Sequence, residues 1–138
     1  MVLPVKPSLN ETKKMFLIRQ VQDINPTIKD TEKNDFVILL SHNPDYIEKL
    51  QSDKIDLMLS GHTHGGQITF FGLFAPLIPS AYGQKYRTGL VETVQTKLLV
   101  SNGIRKVTPP VRFFARPQIN IVYLQTSTPT SASYLSYP

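Results

Sequence analysis

Two apolar runs joined by a short connection constrain this chain most strongly. Phe36-Val37-Ile38-Leu39-Leu40 is continuous apolar sequence of strand length. Runs without alternation fit strands buried on both faces, as in parallel sheets. The run ends in Ser41-His42-Asn43-Pro44-Asp45. Asn43 suits a helix N-cap and Pro44 the first helical position. A helix is therefore expected through about Leu50, with Tyr46, Ile47 and Leu50 facing inward. Ile55–Ser60 reads as a second buried strand. Strand, helix and strand with such short connections place the two strands parallel, with a right-handed crossover. Both strands then end at one edge of the sheet, and in open α/β folds that edge is where sites form.

This topology gathers the chain's three histidines. His42 stands at the end of the first strand. His62 and His64 follow the second, in the stretch SGHTHGGQ. Neutral imidazole is the commonest nitrogen ligand of transition metals. Two histidines at i and i+2 in an extended turn face the same region of space. Gly61, Gly65 and Gly66 let the backbone fold closely around an ion or a phosphate. A lone histidine would be read as incidental. A glycine-flanked pair with a third histidine at a neighbouring strand end reads as a metal site.

The flanking sequence is less regular. Ser8 and Glu11 are spaced as a capping box, which predicts a helix from near Leu9 that ends at Asn25-Pro26. Met15–Ile18 could instead be a short strand. Lys29–Asn34 is a polar connector. Gln67–Phe71 is strand-like, and Phe70–Ile78 is an apolar stretch broken by Pro76. Leu90–Val94 and Leu98–Ser101 predict a hairpin that turns near Gln95-Thr96. Ile119–Leu124 is the last expected strand. Gln125–Pro138, rich in Ser, Thr and Pro, has little to bury and reads as a disordered tail.

Composition narrows the function classes. The 138 residues fit one domain, and 41% apolar content is enough for a core. The absence of cysteine excludes disulfides, thiolate catalysis and zinc–thiolate sites. A net charge of +5 permits contact with phosphates or an anionic membrane without requiring either. The aromatics sit in apolar runs and do not interleave with basic residues, so no nucleic-acid partner is expected. No apolar run reaches the roughly 18 residues of a membrane span. Met1–Lys14, with Pro4 and Pro7, lacks the apolar region of a signal peptide. Localisation is not legible.

Five stretches in this order carry a resemblance: LLSHNPDYIEKL, DLMLSGHTHGGQ, PSAYGQKYRTGL, VSNGI and PPVRFFARPQI. Together they resemble the calcineurin-like metallophosphoesterases, and within them a bacterial YkuE-like subgroup. The resemblance implies an α/β fold: the C-terminal half of an α/β/β/α sandwich, a mixed sheet with flanking helices. Residues 1–35 would be a residual N-terminal segment of that domain, 36–124 its C-terminal half, and 125–138 the tail. It also implies hydrolysis of a phosphodiester, pyrophosphate or phosphomonoester at two divalent ions (Mn, Fe or Zn) about 3.5–4 Å apart. By the same resemblance, His42 and His62 match ligands of the second metal and His64 a ligand of the first. Asn43, Gly61 and Gly65 shape the site. Arg105 and Arg112, with Arg87, Lys106 and Arg116, are candidates for substrate phosphate, since the guanidinium fork suits that oxyanion. Some members of the subgroup act on lipid-linked nucleotide sugars, so a lipid-linked phosphoester and peripheral membrane contact through Phe70–Ile78 come within the implication.

The family's earlier motifs, Asp-x-His, Gly-Asp-x-x-Asp and Gly-Asn-His-Asp/Glu, do not occur in Met1–Asp35. Asp45 and Asp56 match no ligand position. Three imidazoles without a bridging carboxylate compensate little of the charge of two divalent ions. The expectation is weak single-ion binding by His42 and His62, with no complete catalytic set in this chain. It would be the C-terminal part of a hydrolase that begins after the third motif. The alternative is a non-catalytic fragment that pairs with another chain, such as a complementing N-terminal half. Half a sandwich would leave an unpaired sheet edge and favour self-association.

Overall fold

The computed structural model describes residues 2–5, 13–18 and 24–126. Strands β1 (Val2–Val5) and β2 (Lys13–Ile18) come first, then a single helical turn α1 (Asn25–Ile28). Next follow β3 (Phe36–Ser41), a 3₁₀ helix over Pro44–Lys49, and β4 (Leu57–Ser60). The chain closes with β5 (Gly89–Glu92), β6 (Lys97–Val100) and β7 (Tyr123–Thr126).

Five strands form a mixed sheet in the order β2-β3-β4-β6-β5. All neighbours are parallel except β5 and β6, which form the expected antiparallel hairpin, Gly89 opposite Val100. Its turn is closed by Thr93 and Thr96, whose backbone and hydroxyl groups bond one another. A separate two-stranded parallel sheet pairs β1 with β7.

The apolar run of β3 is explained by burial on both faces. Val37 and Leu39 pack with Met58, Ile24, Ile28, Ile47 and Ile55 on one side. Phe36 and Leu57 pack on the other, against Ile38, Leu59, Val122 and Leu124. Neighbouring residues thus enter opposite clusters, so neither parity of the strand can be polar. Leu39, Leu57, Met58 and Leu98 are fully buried, each stabilising the fold by about 1.5–3 kcal/mol.

Several expectations are corrected. Lys13–Ile18 is a strand, paired in register with Phe36–Ser41, and not part of a helix; the capping-box residues Ser8 and Glu11 lie outside the described residues. Asn25-Pro26 begins a helical turn instead of ending one, because Pro26 fits the first turn, where its missing N–H costs nothing. The element after His42 starts where Asn43 and Pro44 predict. Asn43 Oδ1 accepts from the Asp45 amide at 2.9 Å, but the turn is 3₁₀, and Leu50 caps it in an extended conformation. Gln67–Phe71 is not a strand. Gln67 and Phe71 both have positive φ, which breaks the extended backbone, and Ile68 and Phe70 make isolated bridges only. The last strand is β7 at Tyr123–Thr126, later than Ile119–Leu124, and most of the expected tail lies outside the described residues. The architecture is α/β-like and mixed. The long flanking helices of the expected fold class are not found among the described residues. Nor is any described helix long and apolar enough to cross a membrane.

Candidate metal centre

Parallel pairing of β3 and β4, Ile38 opposite Leu57 through Leu40 opposite Leu59, brings the carboxyl ends of both strands to one edge. The Gly61 amide then donates to the His42 carbonyl at 3.3 Å, and the Ser101 amide donates to Ser60 at 2.8 Å. These bonds hold three loops side by side where β3, β4 and β6 stop. The histidine turn follows at once, and it is not extended. His62 has φ of 67° and His64 of 52°, while Gly65 and Gly66 are at 66° and 80°. Left-handed backbone at a non-glycine residue is uncommon and persists where the surroundings over-determine it.

Those surroundings are specific. Between the two histidines, Thr63 is buried and its hydroxyl donates to the Arg87 carbonyl at 2.7 Å. The buried Gln67 side chain donates to the carbonyls of Val107 and Pro109 and accepts from the Val107 amide. At Gly65 an added Cβ would lie 2.5 Å from Asn102 Oδ1, and at Gly66 it would lie 2.2 Å from the Ala75 Cβ. Both positions require glycine. Gly61 does not: its φ is ordinary and an added Cβ would meet only the Ser101 carbonyl, at 3.9 Å.

The structure brings His42 and His62 together. His62 Nδ1 lies 3.0 Å from His42 Nε2, with the rings edge to face. His64 does not join them in a ligand cluster. Among the described residues no group of three His, Cys, Asp or Glu side chains is placed to hold a metal ion. Burial holds the His62 pKa below its usual value, assisted by the positive charge that His42 and His64 would carry. Burial also lowers His64, with the neighbouring Arg112 next in effect, while a hydrogen bond to the Arg105 backbone opposes them. Both rings are therefore biased toward the neutral form, the form that donates a lone pair to a metal.

The fit to metal is partial. Two ligand nitrogens about 2.0–2.1 Å from one ion are about 2.9–3.4 Å apart, depending on the angle at the metal. The observed 3.0 Å matches adjacent positions on a single ion. It does not supply a dinuclear centre, which needs more ligands and a bridging anion. Asp45 adds nothing here, since its carboxylate accepts from Ser80 Oγ at 2.6 Å and from the Ala81 amide at 2.8 Å. Asp56 accepts from the Val37 amide at 2.9 Å.

The arginines divide by environment. Arg105, Lys106 and Arg116 are exposed. Arg112 is not directed at solvent. Its two terminal nitrogens donate to the carbonyls of His64, Ala115, Asn102, Gly103 and Arg105. That guanidinium ties the histidine turn to the loop after β6, and a phosphate would have to displace those bonds. Arg87 likewise donates to the carbonyls of Gly65 and Gly72. Sequence reasoning assigned these residues by type, and missed Asn102 and Gln67, whose only signal was a polar side chain beside an apolar segment.

With this geometry in place, comparison with known proteins is informative. Over 105 residues, 76% of its length, the chain is 36% identical to the uncharacterized metallophosphoesterase YkuE of Bacillus subtilis. The chain is homologous to the metallophosphoesterases. It is also 40% identical over 98 residues to the uncharacterized protein YpbG of the same organism, and 31% identical over 87 residues to the phosphodiesterase YaeI of Escherichia coli. These matches take in 70% and 63% of the chain. The chain spans about a third of the length of these relatives: 36%, 34% and 32%. No protein-family model and no solved structure matches it. Metallophosphoesterases imply metal ions. The described part of this homologue contributes the paired histidines and no complete cluster.

Proposed function

We propose that this chain provides the C-terminal, histidine-bearing part of a metal-dependent phosphoesterase built as an α/β/β/α sandwich. The observation that carries the reading is the His42–His62 pair at the carboxyl ends of two parallel strands, in a homologue of metallophosphoesterases. In this reading the complete centre holds two divalent ions, Mn, Fe or Zn. His42 and His62 serve one ion and His64 the other. The bridging carboxylate and remaining ligands come from polypeptide other than these 138 residues. The substrate class is a phosphodiester, pyrophosphate or phosphomonoester; a phosphodiester is the first to try, because the relative YaeI is named a phosphodiesterase. Arg105 has an exposed side chain and is the phosphate ligand to test first, because the Arg112 guanidinium is engaged with backbone carbonyls around the turn.

The experiment is complementation. The chain is mixed with a segment of YkuE that precedes the matched region, and Mn-dependent hydrolysis of bis-p-nitrophenyl phosphate is followed. Turnover that needs both pieces, and that falls with His62→Ala, is the expected result. Complex formation without turnover under any of the three metals would overturn the hydrolase reading. It would favour the alternative, a non-catalytic fragment that pairs with another chain. One observation speaks for pairing: Ile119, Ile121 and Tyr123 alternate along the approach to β7 and are 81%, 64% and 60% exposed, an apolar face laid out for another layer of protein.

A further inference from the structure

The histidine outside the pair is held in its own way. His64 is half-buried, and its ring donates to the Arg105 backbone carbonyl. Residues 101–107, which carry that carbonyl, form no helix or strand. Among the described residues no backbone amide donates to it. Its position is fixed from a side chain instead, because Arg112 Nη2 donates to it at 2.6 Å. A carbonyl oxygen has two lone pairs, so it can accept from guanidinium and imidazole together.

The same guanidinium holds the backbone of His64. Arg112 Nη1 donates to the His64 carbonyl at 3.1 Å, beside the bond from the Gln67 amide, also at 3.1 Å. Nη2 reaches the Asn102 carbonyl at 2.9 Å as well, which anchors the fork at the end of β6. One planar group thus fixes both the main chain from which the ring projects and the acceptor that the ring meets. A neutral imidazole has one N–H and one lone pair, and the bond made by the first decides where the second is presented. Burial, then the charge of Arg112, bias His64 toward that neutral form.

We propose that Arg112 is a positioning residue that selects the tautomer of His64 by holding the Arg105 carbonyl against the ring. The ring nitrogen that carries the lone pair is then left for whatever the sheet edge binds. The tautomer follows from these bonds alone; its use in ligating an ion rests on the phosphoesterase reading. Outer partners of this kind orient metal-binding histidines in general. The Arg105 side chain is exposed, and only its carbonyl enters the proposal.

The test is nitrogen NMR of the labelled 138-residue chain without metal, at about pH 8, where ordinary imidazole is neutral. Couplings between ring protons and ring nitrogens identify the nitrogen that carries hydrogen. The expected result is a single tautomer for His64 in the parent, with its two ring nitrogens far apart in shift. Arg112→Lys should bring the two shifts together as the ring averages between tautomers. Arg105→Ala keeps the carbonyl and should leave them apart. Circular dichroism melts confirm that the variants are folded. If Arg112→Lys does not fold, the parent's Arg112 decides: resolved terminal nitrogens with slowed rotation are expected, and a freely rotating guanidinium overturns the proposal. An averaged ring in the parent, an unchanged tautomer in folded Arg112→Lys, or averaging in Arg105→Ala overturns it equally. No readout uses an ion or a phosphoester, so failure here and failure of the hydrolase reading are told apart.

Discussion

His62 Nδ1 lies 3.0 Å from His42 Nε2, although twenty positions separate the two residues in sequence. That distance suits either one shared proton or one shared ion. Because burial lowers the His62 pKa, the doubly protonated pair is disfavoured near neutrality and the lone pairs stay available. We expect His42→Ala and His62→Ala each to weaken Zn or Mn binding by at least about tenfold, since loss of even an outer partner of a ligand costs about that much. Titration calorimetry on the folded variants reads this directly. Equal affinities in parent and variants would remove the pair from the ligand set.

The glycines of the histidine turn should separate in stability. Gly66→Ala drives a Cβ to 2.2 Å from the Ala75 Cβ at a φ of 80°, so a loss of about 1–3 kcal/mol or more is expected from backbone strain and overpacking. Gly61→Ala makes only an ordinary van der Waals contact, with the Ser101 carbonyl at 3.9 Å and at an ordinary φ, and should stay within about 0.5–1 kcal/mol of the parent. Denaturant melts of the two variants side by side make the comparison. Similar midpoints would mean that the turn does not depend on its left-handed positions.

Arg112→Lys distinguishes a brace from a substrate ligand. An ammonium has no planar fork and cannot serve carbonyls on three segments together. These bonds are partly buried, and the one to Arg105 is exposed, so water replaces some of them and a loss of about 1–2 kcal/mol is expected in the unfolding free energy. If the melt is unchanged while phosphate affinity falls, Arg112 reaches substrate after all.

Away from the site, Glu48 accepts from Lys85 at 2.5 Å and from the Tyr86 hydroxyl. The Lys85 hydrogen bond first, then that of Tyr86, holds the Glu48 pKa below its usual value of 4.5. A carboxyl depressed in the folded state stabilises the fold above its unfolded pKa, and that contribution is lost as the pH falls through the lowered value. Tyr86 moves the opposite way. Burial first, then Glu48, raises it above 10.0, so its contribution is present below that pH and lost as the pH rises further. Melting temperature should decline at both ends. Glu48→Gln should flatten the acid limb, and an unaltered acid limb would count against the linkage.

Much of the edge that carries the site was legible in the residues. An apolar run at β3 without alternation demands two covered faces, and Val37 and Phe36 do enter opposite clusters. Asn43 and Pro44 announce a helical start through local hydrogen bonding, which needs no tertiary information. The type of that turn was not legible, because a helical segment of six residues within the connection between two strands is fitted to the sheet and not to its own propensity. Lys13–Ile18 was ambiguous for a related reason: apolar and long side chains suit helix and strand alike, and only the open edge of β3 selects strand.

The sequence by itself determined that His42, His62 and His64 would gather at one sheet edge, since parallel strands with short connections leave no other arrangement. Only the tertiary structure decided which of them touch. The left-handed backbone at His62 and His64 is imposed by distant partners: Arg87 on Thr63, Arg112 on the His64 carbonyl, and Val107 and Pro109 on Gln67. Such bonds cross 24 to 48 positions of chain. Residue type fixes what a side chain can bond, and packing alone fixes what it finds within reach.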